Sequence, residues 1–139
     1  MSEEPGTYQH LQPCPFCNPD PARVFLATEL VLGLWDGFPV SSGHALLIPR
    51  RHVADWFQAT AGEQAALTAA ISEARTLIEA RAAREGRPMS DGYNVGFNAG
   101  AAAGQTVFHL HVHVIPRHAG DVADARGGIR HVIPGKAIY

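Results

Sequence analysis

Between Gln105 and Pro116 the chain reads QTVFHLHVHVIP, so that His109, His111 and His113 alternate with Leu110, Val112 and Val114. A period of two sends successive side chains to opposite faces of a strand. The run therefore predicts a strand over 107–115 with two unlike sides, one needing a core and one carrying three titratable rings. In an extended strand His109 and His113 stand about 13 Å apart, at roughly 3.4 Å per residue. Zn–N bonds are only about 2.0–2.1 Å long. One ion shared by all three rings is thus the weaker reading. The row is either a set of ordinary polar residues on a solvated face or a catalytic device. In such a device a neutral imidazole attacks while its neighbours donate hydrogen bonds. Three charged rings side by side would be costly, because like charges suppress one another's protonation.

The rest of the chain supplies the sheet that such a strand needs. Residues 23–27 and 30–35 read as a hairpin, 36–43 as a turn-rich loop, and His44 to Pro49 as a third apolar strand. A short amphipathic piece covers 53–57. From Gly62 to Glu85, Leu67, Ile71, Ala74 and Ile78 keep a helical stripe. Thr60-x-x-Glu63 is a capping box at its start, and Gly86 with Pro88 ends it. Gly92–Phe97 reads as one more strand, joined to the histidine run by a loop of small residues, 98–104. The sum is an α+β fold: an antiparallel sheet of about five strands with one main helix and one short one. Three parts are expected: an arm (1–21), a main domain (22–117) and a C-terminal segment (118–139).

At 139 residues, 46% hydrophobic and 17% charged, the chain has the composition of a single globular domain. A net charge of −2 gives no electrostatic footprint for a nucleic-acid polymer, and an anionic ligand would need local donors. No apolar stretch is long enough to cross a bilayer, and Met1–Pro5 lacks the parts of a signal peptide, so a cytoplasmic location is expected. The only cysteines are Cys14 and Cys17, spaced as Cys-x-x-Cys. Such a pair is a redox couple or half of a zinc site. Asn18-Pro19-Asp20-Pro21 prevents an immediate helix, which favours the zinc reading if two more ligands exist elsewhere. Gly100 and Gly104 let backbone approach a ligand, Gln105 and Thr106 add polar groups, and clustered N–H donors suit a phosphate.

HLHVHVI resembles the signature of the histidine-triad (HIT) family, His-φ-His-φ-His-φ-φ with φ apolar, at every position. The resemblance runs from about Cys14 to the end, through GHALLIPRRH (43–52), NVGFNAGAAAGQT (94–106) and GDVADARGGIRHVIPGKAIY (120–139). It is greatest to the diadenosine-polyphosphate hydrolase branch of zinc-containing bacterial type. What this implies is a hydrolase acting at the α-phosphate of a nucleotide conjugate through a nucleotidyl-histidine intermediate. His111 would be the nucleophile, and His113 would contact the phosphate and steady His111. Gln105 and Thr106, with backbone from Gly104 to Val107, would cradle phosphate oxygens. Asn98 would contact phosphate or substrate, Asp36 would accept from a ribose hydroxyl, and His44 would occupy an active-site position. Retention of His113, which is glutamine in the uridylyltransferase branch, favours hydrolysis.

The same resemblance makes 22–117 the catalytic domain, with 118–139 completing the substrate site. It joins Cys14 and Cys17 to His52 and His109 as a structural zinc site, and implies a homodimer formed through the 62–85 helix and the strand at Asn94. The alternatives are an adenosine phosphoramidate hydrolase and a nucleotide-binding regulatory module without significant turnover. A redox role for the cysteines has little support. Arg50, Arg51 and Arg117 could reach a polyphosphate, or be solvated. Trp35 could line a base pocket or belong to the core. Trp56 and Phe57 read as packing residues, and His10, His118 and His131 as surface ones.

Overall fold

The computed structural model describes residues 14–139, so His10 and most of the expected N-terminal arm lie outside the described residues. Five strands and one long helix follow in the order β1 (Val24–Ala27), β2 (Val31–Trp35), β3 (Ala45–Pro49), α1 (Ala61–Arg84), β4 (Gly92–Gly96) and β5 (Val112–Arg117). Short 3-10 turns lie at Pro21–Arg23, Trp56–Gln58, Ala101–Ala103 and Gly128–Val132. The sheet is antiparallel throughout, in the order β1-β2-β3-β5-β4. The expected α+β architecture is present. The piece expected at 53–57 is reduced to the 3-10 turn Trp56–Gln58.

Helix α1 is built as its sequence dictates. Glu63 N–H donates to Thr60 Oγ1 (3.0 Å), and Thr60 N–H donates back to Glu63 Oε1 (2.9 Å). At the other end Gly86 adopts φ +68°, and the N–H groups of Gly86 and Arg87 reach the carbonyls of Ala83 and Ala82. This is the Schellman arrangement that glycine permits. Between the caps Leu67, Ala70, Ala74, Ile78 and Ala82 form the buried stripe. It packs on Val31, Ala45, Leu47, Leu110, Val112 and Val114 from one face of the sheet. The opposite face carries a second cluster, Leu34, Leu46 and Ile48, covered by Cys14 and Phe16. The histidines belong to this second face. In the ladder His113 lies opposite Leu46, one step out of phase with the helix-facing Ala45 and Leu47.

The strand expected over 107–115 is shorter. β5 starts at Val112, so His109 and His111 precede it rather than standing in the ladder. The ladder to β3 ends at the Leu47↔Val112 pair. Beyond it lies Pro49, which has no N–H to offer, and its carbonyl accepts from the His109 ring instead (2.9 Å). Leu110 N–H turns to Val53 O (2.8 Å). The alternation of burial nevertheless continues, since Leu110, Val112 and Val114 are all enclosed on the helix side. Trp35 also falls on the helix side, stacked on Phe25 (4.0 Å) with Arg81 above it (4.4 Å). Among the described residues no helix is long and apolar enough to cross a membrane.

Glu63 ties the helix to the loop that follows β3. Arg51 donates two bonds to its carboxylate, at 3.1 and 2.8 Å. These bonds, then the Thr60 amide, hold the Glu63 carboxyl down at about 2. A folded value below the ordinary 4.5 means that the contribution is complete above about pH 4.5 and is lost as pH falls toward 2. Glu63→Gln keeps the cap but loses the charge. Because Arg51 is half exposed and screened, the expected loss in urea unfolding at neutral pH is about 1 kcal/mol. That difference from wild type should shrink as the pH is lowered through the window; a pH-independent difference would refute the assignment.

Candidate functional site

The three histidines are drawn to three different backbone or side-chain partners, and each partner dictates a tautomer. His109 is fully buried. Its Nε2 lies 2.9 Å from Pro49 O, which can only accept, so Nε2 carries the proton and Nδ1 presents a lone pair. That lone pair faces Cys14 Sγ at 3.5 Å and Cys17 Sγ at 3.6 Å. Cys17 Sγ in turn lies 3.1 Å from His52 Nδ1. The ligand atoms of Cys14, Cys17, His52 and His109 all lie within 4.8 Å of one another. A tetrahedron with M–S bonds of about 2.3 Å and M–N bonds of about 2.0–2.1 Å has S···N edges of about 3.5–3.6 Å. The two edges to His109 match this and the Cys17–His52 edge is shorter, so the four donors stand close enough to close on a tetrahedral metal ion. Burial keeps His109 neutral, as a ligand must be. Burial, then the neighbouring Cys14, pushes the Cys17 thiol up, a cost that a bound cation offsets. A Pro49 carbonyl on the far nitrogen of His109 is the kind of partner that orients a ligating imidazole.

His111 makes the reverse choice. Its Nδ1 donates to the carbonyl of His109 at 2.8 Å, leaving Nε2 with a free lone pair. Burial lowers its pKa, so that lone pair stays unprotonated. Phe16 lies against the ring, with centroids 5.0 Å apart. His113 follows in β5, where its Nδ1 is 2.9 Å from Nε2 of His44.

His44 decides the polarity of that pair. Its Nδ1 accepts from Val40 N–H (3.1 Å), so its Nε2 must carry the hydrogen, and His113 Nδ1 accepts it. The remaining hydrogen of His113 is then on Nε2. Asp36 Oδ2 sits 3.3 Å from the same His44 nitrogen, and its Oδ1 accepts from Phe38 N–H (2.7 Å). The atoms of Asp36, His44 and His113 are as close together as those of the cysteine cluster. Yet a metal on His44 Nε2 would require that ring to lose its last proton while Val40 N–H occupies its other lone pair. This second group is a hydrogen-bonded chain, not a metal site. Burial, then His111 and His44, pushes His113 down to about 4.

The glycine loop is closed by Gln105, which is buried. Its Oε1 accepts from Gly100 N–H (2.8 Å), and its Nε2 donates to Ala54 O (2.6 Å) and Val107 O (3.1 Å). The side chain expected to touch a phosphate is spent on holding the loop. Gly104, at φ +96°, supplies the left-handed turn. Beyond it, among the described residues, no backbone bond uses the amide N–H of Thr106 or Val107. Beside His113 and His44 opens a cavity of 340 Å³ lined by Asn98, Phe97, Ile129 and Val132. The arginines are engaged elsewhere: Arg50 on Thr28 O, Arg51 on Glu63, and Arg117 on Asp121 and Asn94.

Asp36, His44, Asn98, His111 and His113 thus gather on one side of the sheet, with the 104–107 loop leading into it. Sequence reasoning passed over Phe16, the Val40 amide and the Pro49 carbonyl. Only Phe16 left a trace, as the apolar residue between two cysteines.

A HIT domain model matches residues 18–120. The chain belongs to the HIT family. A zinc-bound histidine triad family protein from Mycobacterium smegmatis is 37% identical, with a TM-score of 0.62 over 81% of this chain and 80% of that one. A histidine triad nucleotide-binding protein from Sulfolobus tokodaii is 32% identical, with a TM-score of 0.63 over 70% of this chain and 62% of that one. The adenylylsulfatase HINT3 of Arabidopsis thaliana is 31% identical over 122 residues, 84% of this chain and 58% of that protein. The chain thus spans less than two thirds of the archaeal and plant relatives.

The geometry around His113 makes a measurable statement. In a proton-detected NMR titration of the folded protein its ring should become half-protonated at about pH 4. Since the unfolded value lies higher, near 6.5, the unfolded chain binds the extra proton between those limits. Stability from this site is therefore greatest above about pH 6.5 and declines as pH falls to about 4. A His113 midpoint at or above 6.5 would contradict the buried acceptor role.

Proposed function

We propose that this HIT-family chain is a hydrolase that cleaves nucleotide conjugates at the α-phosphate, with dinucleoside polyphosphates such as diadenosine tetraphosphate as the substrate class. The observation that carries the reading is the His111 tautomer: Nδ1–H is committed to a carbonyl, which leaves Nε2 with its lone pair, and the ring centroid of His113, whose hydrogen is on Nε2, is 5.2 Å away. The His111 Nε2 lone pair attacks the α-phosphorus, a P–N bond forms, and the P–O bond to the leaving phosphate breaks. Water then attacks the same phosphorus: a P–O bond forms, the P–N bond breaks and returns its electron pair to His111 Nε2, and the mononucleotide leaves with a proton released to solvent. Splitting the displacement at one nitrogen gives two easier steps. The free amides of Thr106 and Val107 and the His113 Nε2–H are donors for charge building on the phosphoryl oxygens. Gly104 and Gln105 shape that loop, Asn98 faces the cavity, and Asp36 and His44 orient His113.

A neutral His113 donates a hydrogen bond but is a poor acid, which suits a leaving group that departs as an anion. A phosphate does so, and the plant relative named an adenylylsulfatase points the same way. A second reading, adenosine phosphoramidate hydrolysis, draws on the cavity beside His113, whose lining has no lysine or arginine to meet a polyphosphate. Steady-state assays on diadenosine tetraphosphate and an adenosine phosphoramidate, with mass spectrometry of quenched reactions, separate the readings. The expected result is turnover of the tetraphosphate, an AMP adduct on His111, and a loss of about 10⁴-fold or more in His111→Ala. Tight AMP binding with negligible turnover of both would make the chain a regulatory module instead.

Zinc is the ion that the Cys14, Cys17, His52 and His109 donor set suits best, two thiolates and two imidazoles in a closed tetrahedron. When bound it holds these four residues together and takes no part in the chemistry at phosphorus. Protein purified without chelator should carry about one zinc per chain. The Cys17→Ser variant should lose most of it and unfold at a lower temperature. A fully folded wild type without metal would refute the assignment. Pairing of two copies is part of the same reading; what supports it is that, among the described residues, β4 ends the sheet with one edge unpaired.

A further inference from the structure

An imidazole held by one hydrogen bond is not yet fixed. Rotation about χ2 is broad and roughly two-fold for histidine, and a half-turn exchanges Nδ1 with Cδ2 and Nε2 with Cε1. For His111 the described contacts include one hydrogen bond, to the His109 carbonyl. Something else has to keep the ring from turning its lone pair away. The face against it is Phe16, only 7% exposed, whose ring centroid is 5.0 Å from that of His111 at an interplanar angle of 53°. The same phenyl ring meets His109 edge-on at 6.0 Å and 85°. Phe16 is packed with Leu34, Leu46 and Ile48, and its chain neighbours on either side belong to the Cys14–Cys17 turn, whose sulfurs reach His109.

We propose that Phe16 is a positioning residue for His111: carried by the Cys14-x-x-Cys17 turn, its ring holds the imidazole in the one orientation that sends Nδ1–H to the His109 carbonyl and Nε2 into the site. The inference rests on His111 being the nucleophile. It gives the cysteine turn a second task besides gathering ligands. His109 grips the nucleophile through its carbonyl, Phe16 grips it through its face, and both are anchored at the same turn. A misoriented nucleophile costs catalysis steeply, since a displacement of about 1 Å can lose roughly 100-fold.

The test compares wild type, Phe16→Leu and Phe16→Ala, each as purified. Long-range ¹H–¹⁵N correlation spectra at one neutral pH read the His111 tautomer, and single-turnover adenylylation with steady-state kinetics reads the chemistry. Wild type should show one His111 species with the proton on Nδ1. Phe16→Ala should show mixed tautomers, with kcat lowered about 10- to 100-fold and KM little changed; Phe16→Leu, which keeps the apolar fill and secures a folded variant, should lie between. An unchanged tautomer and kcat in folded variants would reduce Phe16 to a packing residue and overturn the proposal. A raised KM with an unchanged tautomer would make it a substrate contact and overturn it equally. A wild type that forms no adduct on His111 would sink the nucleophile reading itself, while the tautomer spectra would still decide whether Phe16 sets the ring.

Discussion

The hydrogen bond from His109 Nε2 to the Pro49 carbonyl holds more of this molecule together than its single 2.9 Å suggests. It occupies the last acceptor of β3 at the point where a proline stops the ladder. It fixes the His109 tautomer, and so aims a lone pair at Cys14 and Cys17. It also fixes where the His109 carbonyl lies, and that carbonyl receives the Nδ1–H of His111. A fully buried ring could not leave either nitrogen unpaired without a cost of about 1–3 kcal/mol. The cysteine–histidine cluster and the free nitrogen of His111 are thus two consequences of one constraint.

The sheet converts that constraint into a site. One face is filled by the small and branched residues of α1, and Ala70 and Ala74 let the helix come close. The other is left to the ring row, the cysteine turn and the glycine loop. Because β5 alternates strictly, every residue that faces the helix frees its neighbour to face the site. Gln105 then closes the loop from within, using both ends of its amide on backbone groups of residues 54, 100 and 107. Rigidity in a loop of small residues comes here from one enclosed side chain.

How much was legible depended on how local the cause was. Helix α1 was readable because its capping box and terminal glycine are contiguous with its stripe. The sheet was readable from apolar runs set between turns and from the alternation of the histidine run. The start of β5 was not, since what ends the ladder is Pro49, 60 positions away from its partner His109. The cysteines and their histidines are separated by 95 and 35 residues, and only the likeness to a family brought them together; spacing could not. The role of His44 turns on a backbone amide at Val40, which carries no side-chain signal at all. The bonds of Gln105 were hidden for the same reason, since its side chain meets backbone groups at residues 54, 100 and 107, which carry no side-chain signal.

The two clusters of this protein show why residue type alone does not separate a metal site from a proton path. Both combine imidazoles with anionic or ionisable groups at comparable separations. What differs is the backbone atom behind each ring. A carbonyl behind His109 demands a hydrogen and exposes a lone pair; an amide behind His44 demands a lone pair and exposes a hydrogen. The first can only accept a cation or donor, and the second can only donate. Passed on through His113, that donation ends as an N–H on the ring next to His111, with centroids 5.2 Å apart. A site so arranged offers a nucleophile and a hydrogen-bond donor in the same protonation state. On the proposed function, attack at phosphorus would therefore need no proton to be loaded first, as long as the departing group leaves as an anion.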